Sequence, residues 1–304
     1  MSRALVVGGN GFLGAHVVDM LAADGWDVDA FDRFSSPPRW RSASPRALPG
    51  TFSAGDEIRR AVDGHDLVVH ALSATTPSSS LGGPQADLQA NVLPTLDLLG
   101  EAVRTRVSRI LFISSGGTVY GEASGAVSEE HPLLPISAYG IGKVTIEHYL
   151  RHFAVEHGLA SAVLRVANPY GLRTDGSLPR SGLVSALLLA AAAGEGAMQL
   201  GDGSMVRDYL HVDDVVAMAR RVAADDAFEG PVNIGSGEGH TVQDIIEIVR
   251  DVTGAELPVV SRTAPRTFVH RIVLETERFR ERFGAMAGTP LREGVERTWR
   301  GWRR

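Results

Sequence analysis

Tyr139 and Lys143 stand four residues apart in SAYGIGKVTIEHYLRHFAVEHG at 137–158. On a helix, that spacing places both side chains on one face, one above the other. An ammonium close by favours a phenolate and draws a tyrosine pKa down from ~10 towards neutrality. Such a phenolate can take the proton of a hydroxyl group. The same pair also occurs as a plain surface couple, so its meaning depends on its neighbours. Just upstream, LFISSGGTVYG at 111–121 reads as an apolar strand that runs into Ser114, Ser115, Gly116 and Gly117, then Thr118 and Tyr120. A strand end rich in small hydroxyls is either an ordinary loop or one wall of an active site.

A second motif tips the balance towards the active site. VVGGNGFLG at 6–14 carries Gly8, Gly11 and Gly14 between an apolar strand and a helix. Glycines there permit a tight turn and let a backbone approach a pyrophosphate. The helix start, at Gly11, Phe12 and Leu13, offers N–H groups to the negative charge. Asp32 follows Gly14 by about 18 residues, near the ~20 expected of a carboxylate that accepts from a ribose 2′-hydroxyl. It would repel a 2′-phosphate, and no basic residue replaces it. The pattern therefore calls for NAD rather than NADP, with a tight turn and a solvated Asp as the plainer alternative. With NAD beside it, the Tyr139 oxygen would take a hydroxyl proton while hydride leaves the same carbon.

These residues must be positioned by a frame, and the chain supplies one. Short apolar runs at 4–9, 26–32, 66–72, 109–115 and 161–171 alternate with helical patterns at 12–23, 58–64, 86–105 and 137–158. That alternation predicts an α/β protein with a doubly wound, parallel, Rossmann-type sheet. Residues 1–171 would form the NAD-binding domain, with about 207–240 returning to it. Segments 172–206 and 241–304 would form a smaller C-terminal substrate-binding region. With 304 residues, 44 % hydrophobic and 22 % charged, the chain has the composition of a soluble globular protein. Its net charge of −6 argues against nucleic acid as a partner. It has no cysteine, which excludes disulfides, thiolate catalysis and Cys-bound metal. No metal site is expected. The longest apolar run, 182–194, falls short of the ~20 residues that span a bilayer. No membrane contact and a cytoplasmic location are expected. Surplus apolar residues on helices 86–105 and 137–158 (Leu93, Leu96, Leu98, Leu99, Val144, Ile146, Tyr149 and Leu150) suggest a homodimer.

Across nearly its whole length the chain resembles the extended short-chain dehydrogenase/reductases that act on nucleotide sugars, and among them the NAD-dependent 4-epimerases. The resemblance implies catalysis by Tyr139 and Lys143, with Lys143 also on the nicotinamide ribose. It implies Ser114 and Asn91 beside the cofactor, although Asn91 could equally be a helix-start cap. His70 and Thr75, flanking the third strand's end, rank lower as lining of that cleft. In related 4-epimerases the strand end resembles Ser-Ser-Ser-Ala-Thr-Val-Tyr-Gly, whose third residue bonds the reacting hydroxyl. That place is Gly116 here. In extended chain, residues two apart face the same way, which favours Thr118 over Ser115 as the replacement. Both could instead merely satisfy backbone groups. Related 4,6-dehydratases carry Asp and Glu where this chain has Gly117 and Thr118, so elimination of water by that route is not expected.

VLRVANPYG at 163–171 and VRDYLHVDD at 206–214 continue the resemblance. It implies that Asn168 and Arg207 contact a sugar diphosphate and that the backbone near Tyr170 lies by the nicotinamide. Arg266 falls where a further diphosphate arginine is common, and His211 reads as scaffold. The leading expectation is a 4-epimerase of nucleotide-diphosphate sugars, UDP-sugars above all, working by transient oxidation at C4. A 4-ketoreductase or dehydrogenase with exchangeable cofactor comes second. A non-catalytic NAD-sensing protein is the alternative of a different class.

Overall fold

The computed structural model describes residues 2–53, 55–76 and 83–303. In chain order the first half comprises β1 (Arg3–Val7), α1 (Phe12–Ala23), β2 (Asp27–Asp32), β3 (Arg46–Pro49), α2 (Gly55–Val62), β4 (Leu67–His70), α3 (Pro84–Asp87), α4 (Leu93–Thr105), β5 (Arg109–Ser115), α5 (Gly116–Val119), β6 (Ala126–Val127) and α6 (Ala138–His157). The second half comprises β7 (Ala160–Val166), β8 (Asn168–Tyr170), α7 (Leu183–Ala193), β9 (Ala197–Leu200), β10 (Val206–His211), α8 (Val212–Ala223), β11 (Gly230–Ile234), β12 (Gly239–Thr241), α9 (Val242–Thr253), β13 (Val259–Arg262), β14 (Arg271–Leu274), α10 (Glu277–Phe283) and α11 (Leu291–Trp302).

Seven parallel strands form the main sheet in the order β11-β7-β5-β4-β1-β2-β3. From β1 the chain winds outward to β2 and β3, then crosses back to β4 and continues the other way. The crevice between the C-terminal ends of β1 and β4 is therefore the switch point where open α/β sheets take ligands. Alternate residues of each strand feed two cores, as a two-residue period requires. Ala4 and Val6 face α1 and α8, whereas Leu5 and Val7 face the layer of α2, α4 and α6. A third core lies under α7, α9 and α11.

Several elements differ from the sequence reading. The run 161–171 is two strands, because β8 leaves β7 at Ala167 and pairs with β10 instead. The helical pattern 86–105 contains a π turn at Leu88–Val92 between α3 and α4. Residues 116–119 form a helical turn, not a loop. Strand β3 is an edge strand, exposed at Arg46, Ala47 and Pro49, with no apolar alternation. Of the surplus apolar residues, Leu98, Leu99, Ile146 and Leu150 belong to the chain's own core, while Leu93 and Tyr149 stay exposed. No helix of the described residues is long and apolar enough to cross a membrane.

Helix α6 begins where the Ser137 hydroxyl accepts from the Gly140 N–H at 3.1 Å, and ends on Gly158 at φ +67. Its inner face carries Glu147, whose carboxylate accepts from the Arg165 guanidinium at 2.7 Å, both groups being buried. Arg165 also donates to the Tyr120 hydroxyl (3.0 Å), which donates to Asn233 (2.6 Å). The Asn233 N–H in turn donates to Glu129 (2.6 Å). One polar network thus ties α6, β7, α5 and β11 together. Glu147→Ala strands a buried guanidinium and should destabilise the protein by about 3–5 kcal/mol in urea unfolding. Truncation of exposed Glu156 should change stability by less than about 0.5 kcal/mol.

Candidate active site

The turn after β1 is as cramped as its glycines suggest. A Cβ on Gly14 would lie 2.0 Å from the Gly8 carbonyl oxygen, and one on Gly8 would lie 2.7 Å from the Leu72 backbone, at a φ of +84. The Gly11 N–H donates to the Gly8 carbonyl at 2.9 Å. No side chain caps α1 at Gly11, so its first N–H groups are left to the cleft. That cleft, of about 620 Å³, runs from this turn and Asp32 to Ser115, Tyr139 and Lys143. The Asp32 carboxylate accepts from the N–H groups of Asn10 (3.1 Å) and Arg33 (2.7 Å).

Two features of the cleft went unread in the sequence. Buried Asn10 donates to the carbonyls of Ser36 and Pro37 (both 3.2 Å) and accepts from the Arg39 N–H (2.9 Å), pinning residues 36–39 as a strap beside the glycine turn. Arg39 and Arg173 both line the cleft. Desolvation and the charge of Arg39 lower the pKa of the Arg173 guanidinium, a setting that an anion would relieve. Arg39 also pairs with Asp175 at 3.1 Å. Uncapped helix donors, a ribose-reach carboxylate and two guanidiniums on the cleft wall together fit a dinucleotide such as NAD.

At the other end, Lys143 is buried, and its Nζ donates to the Ile113 carbonyl at 2.9 Å. It lies 4.6 Å from the Phe112 ring centroid and 5.7 Å from that of Tyr139. Burial pushes the ammonium down to about 8, against the raising charges of Asp87 and Glu147. Burial pushes the Tyr139 phenol up to about 12, with hydrogen bonds from Ser115 and Ser73 acting in the opposite sense and Asp87 adding to the rise. The expectation that Lys143 brings this phenol towards neutrality does not hold in the protein alone. The ammonium bonds a main-chain carbonyl instead, and desolvation dominates. A cation placed in the cleft would lower the phenol pKa.

The geometry behind the ranking of Thr118 over Ser115 differs in the structure. That ranking assumed extended chain, but residues 116–119 are the helical turn α5. The Thr118 Oγ1 contacts the Ser115 carbonyl at 3.4 Å, whereas Ser115 lines the cleft with Tyr139. Gly116 has no room for any side chain: a Cβ would lie 2.5 Å from Leu274 and 2.9 Å from the Arg165 carbonyl oxygen. The Ser114 hydroxyl is turned to Glu147. Asn91 is neither a helix cap nor part of the cleft lining. It sits in the π turn, accepts from the Ala74 N–H (2.8 Å) and donates to Thr75 (2.9 Å). His70 is buried between Phe52 and Phe112, bonds Thr95 at 2.9 Å and is pushed down to about 3 by desolvation and Lys143.

Thr118 instead lines a neighbouring cavity of about 360 Å³ with Gly117, Asn168, Arg207 and Tyr209. Phe12 and Pro169 are walls of both cavities. Arg207 is held by carbonyls of Val206 (2.8 Å), Val269 and His270 (3.1 Å). Arg266 is exposed and outside the lining, which takes Thr267, Phe268 and Val269 from its segment. His211 accepts from the Asp213 N–H at the start of α8. Among the described residues no cluster of His, Asp or Glu could hold a metal ion.

The model of the NAD dependent epimerase/dehydratase family matches residues 4–235. A UDP-glucose 4-epimerase of Corynebacterium glutamicum is 31 % identical over 316 residues, covering 98 % of this chain and 94 % of that protein. The structure of a UDP-glucose 4-epimerase from Thermotoga maritima with UDP-glucose superposes with a TM-score of 0.92 at 31 % identity, covering 99 % of this chain and 98 % of the other. The Thermus thermophilus UDP-glucose 4-epimerase in complex with NAD gives 0.90 at 27 % identity, covering 99 % of each chain.

The depressed Lys143 pKa has a consequence for stability. Between about 8 and the ordinary 10.5 the unfolded chain binds the proton and the folded protein does not, so stability attributable to this group rises with pH. That contribution is complete above the ordinary pKa and is lost as pH falls through about 8. Without cofactor, Lys143→Met should therefore gain stability over the parent at pH 7 and lose that advantage by pH 10. Urea unfolding across this range measures it.

Proposed function

The chain belongs to the NAD dependent epimerase/dehydratase family, and from that premise we propose that it inverts C4 of a UDP-sugar by transient oxidation. One observation carries the reading: the cleft lined by Ser115, Tyr139 and Lys143 shares the walls Phe12, Thr76 and Pro169 with the cavity of Asn168 and Arg207. Arg207 would face the diphosphate, since a guanidinium matches phosphate oxygens. Asn168 would bond the same group. Tyr139 would take the C4 hydroxyl proton and later return it to the 4-keto oxygen, and Ser115 would align that oxygen. NAD, when bound, would accept hydride from C4 and give it back, so no net redox change results. Lys143 would hold the ribose of the cofactor. The absence of an acid/base pair at Gly117 and Thr118 favours inversion over loss of water. We place this activity in the cytoplasm.

The test is to incubate the protein with UDP-, GDP-, CDP- and dTDP-sugars without added cofactor and follow C4 by NMR. Inversion of a UDP-sugar is expected. Turnover that needs added NAD(P)H would instead indicate a ketoreductase, and binding without turnover a sensor. Tyr139→Phe should abolish inversion. Ser115→Ala should lower kcat by ~10²-fold, as loss of a donor acting in the transition state does, and Thr118→Val by only a few-fold. The reverse order would sink the role given to Ser115.

We also propose that the enzyme is a homodimer through α4 and α6. Support comes from Leu93, Ile141, Tyr149 and Val155, apolar and 38–82 % exposed on these helices. Light scattering at micromolar concentration should give twice the chain mass, and Leu93→Asp with Val155→Asp should give the monomer.

A further inference from the structure

The chain that supplies Thr118 to the cavity of Asn168 and Arg207 goes on to hold another part of its wall. Tyr120 is anchored by Arg165 and Asn233. Gly121 then turns the chain at φ +75, and a Cβ there would lie 2.1 Å from the Leu134 carbonyl oxygen. Glu122 follows, exposed and outside the cavity lining. Its carboxylate spans two successive main-chain donors, accepting from the His270 N–H at 2.6 Å and the Arg271 N–H at 2.9 Å. The segment it holds is the one that holds Arg207. Arg207 Nη1 donates to the carbonyls of Val206 (2.8 Å) and His270 (3.1 Å), and Nη2 donates to that of Val269. The His270 carbonyl also accepts from the Val206 N–H at 2.9 Å. Of the guanidinium donors, Nε–H and one Nη2 proton are left for a ligand.

We propose that Glu122 is a positioning residue for the diphosphate arm of the substrate: it fixes the main chain at 269–271, whose carbonyls aim Arg207. The inference rests on the reading of Arg207 as the diphosphate ligand of a UDP-sugar. A free arginine side chain must be ordered when an anion binds, and that ordering weakens binding. Here main-chain carbonyls order it beforehand. Releasing His270 and Arg271 from Glu122 would loosen the segment that carries two of those carbonyls, Val269 and His270. Charge alone predicts the opposite effect. Burial lowers the pKa of the Arg207 guanidinium, while Tyr209 and Glu122 favour its charged form. A carboxylate close enough to act on Arg207 also repels an anion bound there, so its removal would tighten binding. Positioning and charge therefore differ in sign.

The probe is UDP, titrated calorimetrically into the NAD-loaded protein. Glu122→Gln keeps the side-chain shape but turns an NH₂ group towards one of the two N–H donors. It should weaken UDP by about fivefold to tenfold, the effect of ordering one long side chain on binding. With a UDP-sugar that turns over, KM should rise by a similar factor and kcat change less than about twofold, as loss of uniform binding does. Arg207→Met should weaken UDP more, and Glu122→Gln should add nothing further in that background. A second measurement needs no ligand. With ¹⁵N-labelled arginine, the Arg207 Nη protons should be resolved in the parent and merge in Glu122→Gln as the guanidinium turns freely. Arg207→Met assigns those signals. Glu122 is exposed, so the variant should unfold in urea as the parent does. UDP binding by Glu122→Gln as tight as the parent's or tighter, or unchanged Arg207 Nη signals, would overturn the proposal. A parent that does not bind UDP would instead overturn the UDP-sugar reading, and the Arg207 signals would still decide the role of Glu122.

Discussion

Helix α6 presses a charged face against the ends of β5 and β7, and a buried charge is tolerated only where partners surround it. Tyr139, Lys143 and Glu147 recur every four residues along that face. Glu147 is met by Arg165 from β7 and by the Ser114 hydroxyl from β5. Lys143 is met by the Ile113 carbonyl. Because Arg165 also reaches Tyr120 and the Glu129 carbonyl, the segments flanking β6, the end strand of a smaller, five-stranded sheet (β12-β10-β14-β6, with β8 on β10), are drawn onto the same anchor. Moving α6 by one turn would leave several charges without partners, so its register, and with it the place of Tyr139, is set by this network.

The catalytic pair is positioned by packing in the same way. Burial moves the two groups in opposite directions, the phenol up to about 12 and the ammonium down to about 8. Each change disfavours the charged form. Counter-charges near Lys143, from Asp87 and Glu147, keep its depression modest. The protein alone therefore holds Tyr139 protonated, and a charged ligand in the cleft has leverage over it.

Much of this was legible in the sequence because the causes are local. The glycine turn, the alternation of strands and helices, the Ser137 start and the Gly158 end of α6 each depend on a few neighbouring residues. What escaped depends on distant ones. The break at Ala167 exists because β10, some forty residues later, offers β8 a new partner. Gly116 reads as a lost hydroxyl until Leu274 is seen filling its place. The chain there turns helical, so an argument from extended geometry pointed to Thr118. Asn10 looks like a turn residue, and only the fold shows it gripping the strap at 36–39.

The position of Gly116 shows how packing constrains the chemistry. With Leu274 and the Arg165 carbonyl against its Cα, the strand end cannot place a side chain towards the cleft. A hydroxyl for Tyr139 must therefore come from beside that point, and Ser115 precedes it on β5 and lines the cleft with Tyr139. Leu274 belongs to β14, a strand of the smaller sheet. That contact and the main chain of β7 at Arg165 together leave position 116 without room for a side chain. A side chain smaller than Leu at 274 would not by itself open that place, because the Arg165 carbonyl oxygen, a main-chain atom, would still lie 2.9 Å from a Cβ there.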